Sequence, residues 1–258
     1  MEMRGMMGGF YRLSEWVMRL SVTNVLWLVT SLPFWYLTLV TFRGMQLTET
    51  NEELLATFQS GVIILAVLSP FTLFPATSAM FSVARKWVLG DTDVPLFKTF
   101  FRNYKQNYVQ AMVGGIFYAL LFAIMIIDYR VYLNQIDGFG FVAYLFLLLM
   151  ALLLISLLHF FSLLSHFHMK TFQLLKNALI LTIGRPLRSL MMALGTAAVL
   201  YLSIKWTFLI PFFFGSVIAV YTFYHFNLIM QKMMMLRESL ESAGTEASEE
   251  DKEDGKQA

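Results

Sequence analysis

Cysteine is absent from the 258 residues, which excludes disulfides, thiolate zinc sites, iron–sulfur clusters and cysteine nucleophiles. Charge is scarce as well. Only 14% of residues are Asp, Glu, Lys or Arg, against about 25% in a soluble domain, too few to coat a water-facing surface. Net charge is +2, so the overall balance suggests no nucleic-acid partner. The apolar runs contain almost no Asp or Glu. Ion-coupled transporters and pumps usually need an intramembrane carboxylate or base. This lack counts against acid-based coupling and leaves transport of a neutral solute open. No GxSxG, Walker loop or HExxH stretch occurs, so neither an enzymatic site nor a cofactor is expected, and the chain is not expected to drive ATP-dependent transport itself.

What is abundant is apolar: 58% of residues are hydrophobic, with 25 Phe, 17 Met and 5 Trp. A spanning helix needs about 20 apolar residues. Residues 21–42, 58–83, 109–127, 139–167, 187–204 and 207–228 supply six such stretches. The expected fold is all-α, a polytopic membrane bundle of about six transmembrane helices with both termini cytoplasmic. The first stretch has no cleavage site behind it and is expected to stay as a span. The fourth is long and should tilt. The fifth and sixth are separated by Lys205 and Trp206 alone; if that hairpin does not cross fully, five spans remain. Pro33 should kink the first span, and Pro70 and Pro75 the second.

Orientation follows from the basic residues. Of the 19 Lys and Arg, only Arg43, Arg130 and Lys205 fall in loops on one side of this six-span arrangement. The basic-rich side is cytoplasmic. Residues 1–20 are then an N-terminal segment, 21–230 the membrane domain, and 231–258 an acidic cytoplasmic tail expected to be disordered. Within the first segment, Phe10, Leu13, Val17 and Leu20 share a helical face. That reads either as a short interfacial helix or as an extension of span one. The triplets Leu96-Phe97-Lys98 and Leu174-Leu175-Lys176 hint at a parallel internal repeat; chance likeness between two basic loops is the alternative.

Three groups of residues could carry function. His159, Ser162 and His166 share one face of span four, and His225 and Asn227 on span six could join them. This intramembrane polar stripe reads as a solute or proton path, or more simply as interhelical hydrogen bonding. His168 is close by, but a His-x-His pair without acidic ligands is a weak metal signal. Asn24 could pair with the stripe, although its place in the sequence fits the membrane boundary better. The second group is Phe97, Lys98, Phe100, Phe101, Arg102, Tyr104 and Lys105. Its aromatic face opposes its basic face at helical spacing, which suits either an anionic membrane surface or a docking protein. Small-residue ridges form the third: Ala111, Gly115 and Ala119 in span three, Ala193 and Ala197 in span five. They suggest close packing within the monomer or a dimer face; the oligomeric state is open.

Several stretches resemble the YesL family of bacterial membrane proteins. Asn24-Val25-Leu26-Trp27-Leu28 with Ser31-Leu32-Pro33 resembles the family's opening. Pro75-Ala76-Thr77-Ser78-Ala79-Met80, followed by Val83-Ala84-Arg85-Lys86, resembles its Pro-Ala-Thr-x-Ala segment. The stretch 97–110 resembles its Phe-rich basic loop, and Lys176-Asn177-Ala178 its Lys-Asn-Ala segment. The likeness covers roughly residues 8 to 230. At His166-Phe167-His168 the chain departs from the family's Pro-Leu pair, so the His stripe is not a shared feature. The resemblance implies a multi-pass protein of the cytoplasmic membrane of Gram-positive bacteria, often associated with carbohydrate uptake or degradation. It carries no mechanism. The expectation is a non-enzymatic accessory or regulatory component whose partners are the lipid bilayer and a candidate sugar transporter or sensor. The alternative is a small transporter or permease subunit for a neutral carbohydrate.

Overall fold

The computed structural model describes residues 6–134 and 139–254, with side chains for 9–133 and 139–242. Arg4, Asp137 and the last four residues lie outside the described residues. Among the described residues, every regular element is a helix: α1 Met6–Thr30, α2 Leu32–Gln46, α3 Asn51–Leu68, α4 Leu73–Val88, α5 Leu96–Asn134, α6 Gly140–His166, α7 Thr171–Gly184, α8 Pro186–Lys205, α9 Leu209–Phe212 and α10 Phe214–Asp254. Four helices are long and apolar enough to cross a membrane: α3, most of α5, α6 and α8. A fifth crossing results if α1 and α2, bent by 77°, are counted as one broken span. The fold is therefore all-α, with several long apolar helices as in a polytopic membrane bundle.

The breaks have local causes. Ser31 ends α1 and turns its hydroxyl onto the Trp27 carbonyl while accepting from the Trp35 indole at 3.1 Å. Pro33 then sits in the first turn of α2, where its missing N–H leaves no bond unmade. The expected kink is thus a full break. The expected second span also divides at Ser69–Thr72 into α3 and α4. Thr50 caps α3 by accepting from the Glu53 N–H, and the Glu53 carboxylate accepts from the Glu49 N–H just before the helix. Gly90, at φ 95°, lets the chain turn after α4, and the Asp91 N–H reaches the Lys86 carbonyl at 2.9 Å.

The segment before the first span is the N-terminal part of α1 itself, the extension rather than a separate helix. The acidic segment continues α10 as helix to Asp254, where the sequence suggests disorder. Elongating an existing helix avoids the nucleation cost, and the Arg237–Glu241 pair spaced at i,i+4 supports the exposed turn.

The core lies around α4, buried along nearly its whole length from Phe74 to Trp87. Specific contacts fix the helix directions. Trp27 meets Thr77 and Trp16 meets Trp87, so α1 and α4 are antiparallel. Asn107 bonds Ser82 while Gly115 faces Phe74, which sets α5 antiparallel to α4. Tyr118 bonds Ser156, and Tyr132 stacks on Phe146, which sets α6 antiparallel to α5. The α2–α3 hairpin stands apart: α2 has no buried residue and α3 only Gly61, whose missing Cβ admits Thr41. The two triplets of the suggested repeat differ in setting. Phe97 is exposed near the start of the unbroken α5, whereas Leu174 and Leu175 are buried in α7, which Arg185 alone separates from α8.

Candidate functional site

Three helix interruptions meet at one buried node: the end of α1, the start of α4 and the turn between α9 and α10. At its centre is Asn24, fully buried. Its amide donates to the carbonyls of Ile210 at 2.9 Å and Pro211 at 2.7 Å. Its oxygen accepts from the backbone N–H groups of Gly215 at 2.8 Å and Ser216 at 3.1 Å. The first N–H groups of a helix have no partner within it, and in an apolar interior each must find one. Asn24 fills this need for α10 and, with its other end, holds the carbonyls of α9. Asn24 is therefore a buried clamp whose bonds go to the α9–α10 backbone and not to the His stripe.

One turn further on, Trp27 donates from its indole to the Thr77 hydroxyl at 3.0 Å, and that hydroxyl donates to the Leu73 carbonyl at 2.8 Å. Trp27 also packs against Trp35 and Phe214. A Cβ on Gly215 would press on Trp27 and Met80 at 3.0 Å each. Asn24, Trp27 and Thr77, singled out separately in the sequence, are thus parts of one assembly. Pro75, Ala76 and Ala79 are buried on α4 beside it. Pro33 lies beyond it in α2. Arg85 and Lys86 are half-buried at the far end of α4, where Lys86 pairs with Asp91 at 3.3 Å. Asn177 on α7 donates weakly to the Met169 sulfur, and Lys176 is exposed.

The His stripe is real as a face of α6, but its members do not form a chain. His159 is fully buried and lies 2.9 Å from the Ser189 hydroxyl on α8. The Ser189 hydroxyl also lies 3.4 Å from the Leu181 carbonyl, which links α6, α7 and α8 at this point. Ser162 bonds only the Leu158 carbonyl of its own helix. His166 sits among Phe167, Phe223 and Phe226. His225 faces Tyr221 and Tyr224, and Asn227 is half-buried further along α10. His168 is exposed. Of these residues, His159 contacts α8 and His166 contacts α10, while Ser162 and His225 meet neighbours on their own helices. In a double-mutant cycle, His159→Ala and Ser189→Ala should show a coupling of about 1 kcal/mol. Additive losses in chemical denaturation would remove the bond from the account.

The aromatic–basic segment also changes character. It forms the first third of α5 and is one helix with the span. Phe100 is fully buried and Tyr104 packs against the core, while Tyr108 donates to the Phe71 carbonyl at 3.0 Å. The aromatic face is thus largely covered by the protein itself, and Phe100 and Tyr104 drop out of the candidate surface. Phe97, Lys98, Phe101, Arg102 and Lys105 remain exposed. Phe100→Ala should destabilise by about 3–5 kcal/mol, whereas Phe97→Ala should stay within about 0.5 kcal/mol. Equal losses in thermal unfolding would contradict this division.

The small ridge of α5 packs inside the chain: Ala111 is buried, and a Cβ on Gly115 would meet Phe74 and the Pro70 backbone. On α8 Gly195 lies close against Tyr221, while Ala193 is half-buried and Ala197 exposed. Sequence reasoning missed Gly195, Ser189 and the Gly215–Ser216 amides. The last are backbone groups and leave no mark in composition.

The family described as "Protein of unknown function, DUF624" matches residues 20–129, from the second half of α1 through most of α5. The uncharacterized protein YesL of Bacillus subtilis (strain 168) is 28% identical over 212 residues, which is 82% of this chain and 85% of that protein. The uncharacterized protein YteU of the same organism is 29% identical over 225 residues, covering 85% and 84%. A third, YesV, is 31% identical over 170 residues, covering 63% and 82%. No solved structure matches. On these matches, this protein with its several long apolar helices belongs to the DUF624/YesL-like family of uncharacterised bacterial proteins.

Proposed function

We propose that the protein is a non-enzymatic accessory or regulatory component of a carbohydrate uptake or utilisation system in the bacterial cytoplasmic membrane. In this reading residues 21–230 cross the membrane six times and both termini are cytoplasmic. The carbohydrate link comes from the family resemblance. The observation that carries the accessory role is the projecting part of α10. The last buried residue of that helix is Met230; from Gln231 to Ser242 every residue is exposed. The projection bears Met233, Leu236 and Leu240 along one face, and with Arg185, Arg237 and Glu241 they line a groove of about 350 Å³. Apolar residues at i, i+3 and i+7 suit a partner helix laid alongside, and methionine side chains adapt to irregular surfaces. The groove also offers both charge signs at its rim.

A photo-reactive residue placed at Leu236, in native cells grown on plant polysaccharide, tests this. Reproducible cross-linking to a sugar transporter or sensor, abolished by Leu240→Asp in stably inserted protein, is the expected result. Recovery of this protein alone at normal abundance would count against the role.

A second reading, a small transporter for a neutral carbohydrate, is favoured by the three interruptions meeting at the Asn24 node, since transporters build sites from broken helices. It requires solute flux in reconstituted vesicles above that of empty liposomes.

A further inference from the structure

The exposed side of α5 changes chemistry at a defined point. Val109, Val113, Ile116, Leu120, Ile124 and Ile127 are all exposed and follow one another at three- or four-residue steps. That spacing places them on one line along the helix. At about 1.5 Å per residue the line is about 27 Å long, close to the roughly 30 Å of bilayer hydrocarbon. The same line continues toward the N-terminus, again at three- or four-residue steps, through Lys105, Arg102 and Lys98, all exposed. At the other end the next position is the exposed Arg130. The apolar line is bounded by cations at both ends.

The three basic residues enter no ion pair among the described residues. No Asp or Glu occurs between Asp93 and Asp128. Nor can this part of α5 turn its cations elsewhere. Its opposite face is held by Phe100, Thr99 and Asn107, all buried, with Asn107 bonded to Ser82 on α4. Lys105 and Arg102 lie about 6 and 10 Å along the axis from Val109. The polar layer adds about 5–8 Å to each side of the hydrocarbon, so Lys105 falls within it and Arg102 just beyond; Lys98, about 16 Å along the axis from Val109, comes within reach of the headgroups through its long side chain and helix tilt.

We propose that Lys98, Arg102 and Lys105 form a binding surface for anionic phospholipid headgroups of the leaflet at the basic end of the bundle. The occupant follows from continuity: the surface is the extension of a line that only lipid chains cover, on a helix that does not bend away. Phe97 and Phe101, exposed on the flank of this line, can rest in the interface beside the headgroups. Arginine gives forked donation to a phosphate, and lysine a point charge.

The test is native mass spectrometry of the full chain released from nanodiscs of mixed phosphatidylglycerol and phosphatidylcholine. The wild type is expected to retain phosphatidylglycerol preferentially at low salt. A variant with Lys98→Gln, Arg102→Gln and Lys105→Gln should lose this preference by about tenfold or more, since each basic residue near a membrane surface contributes measurably to anionic-lipid attraction. A control with Arg12→Gln, Lys176→Gln and Lys232→Gln removes the same charge from the same end and should keep the preference. High salt should weaken the wild-type preference by screening. Equal retention of phosphatidylglycerol by the two triple variants would overturn the proposal. So would equal binding of soluble glycerol phosphate, because the surface would then recognise a free phosphate and not a lipid. Thermal unfolding of both variants in the same discs separates lost lipid from lost fold.

Discussion

Asn24→Ala is expected to lower stability by about 3–5 kcal/mol, since a buried donor or acceptor left without a partner costs about 1–3 kcal/mol. Four backbone groups, the Ile210 and Pro211 carbonyls and the Gly215 and Ser216 N–H groups, lose their partner together. No water is at hand to replace it. The loss should not scale simply with four, because the α9–α10 turn can relax. Asn24→Asp separates the two ends of the clamp. A carboxylate still accepts from the Gly215 and Ser216 N–H groups, and the start of α10 favours negative charge. It has nothing to donate to the two carbonyls and must be buried as a charge. Both variants should therefore be unstable. Thr77→Val, which removes the acceptor of the Trp27 indole together with the hydroxyl's bond to the Leu73 carbonyl, should cost about 1 kcal/mol. The measurement is chemical denaturation of purified protein in mixed micelles. A loss below about 1 kcal/mol for Asn24→Ala would mean that the clamp does not form.

Gly115→Leu is the second large effect. Its Cβ alone would sit 2.8 Å from the Phe74 ring and 2.9 Å from the Pro70 backbone. Phe74 is buried in the core and Pro70 belongs to the break between α3 and α4, so neither moves freely. Overpacking of this kind costs about 1–3 kcal/mol, occasionally more, and the backbone contact puts this site at the upper end. Gly140→Ala is the control, since nothing lies within 4 Å of its added Cβ and alanine is the better helix former by about 1 kcal/mol. The expected outcome is a marked fall in unfolding temperature for Gly115→Leu and none for Gly140→Ala. Equal behaviour would show that α4 and α5 are not packed this closely.

Much of the architecture is legible in the chain because the bilayer imposes long apolar runs. The breaks were signalled but understated. Pro33, Pro70 and Pro75 announce kinks, yet whether a helix bends or stops depends on what receives the freed backbone groups. Here the Ser31 hydroxyl donates to the Trp27 carbonyl at the first break and the Tyr108 hydroxyl to the Phe71 carbonyl at the second, the latter from a position a sequence cannot place next to the break. Asn24 is the clearest case. Its partners lie 186 to 192 residues away, and they are backbone groups that every residue possesses. The aromatic face of residues 97–108 was readable as a face. What covers it was not, because an aromatic face toward lipid and one toward α4 have the same spacing. The basic line beside it stayed legible, since Lys98, Arg102 and Lys105 cannot face an apolar core unpaired. The His159 and His166 pattern likewise gave the correct buried face of α6 and no information on partners, which come from α8 and α10.

The most direct test of the account is the sidedness of the chain. The natural absence of cysteine makes single-cysteine labelling possible on an otherwise native background. In intact cells, a membrane-impermeant maleimide should label Thr48→Cys and Trp206→Cys. It should reach Asp93→Cys, Lys176→Cys and Glu241→Cys only after permeabilisation. That pattern places both termini and every basic-rich loop in the cytoplasm, as six crossings require. Labelling of Glu241→Cys from outside would contradict it, and would take with it the assignment of the α10 projection to a cytoplasmic partner.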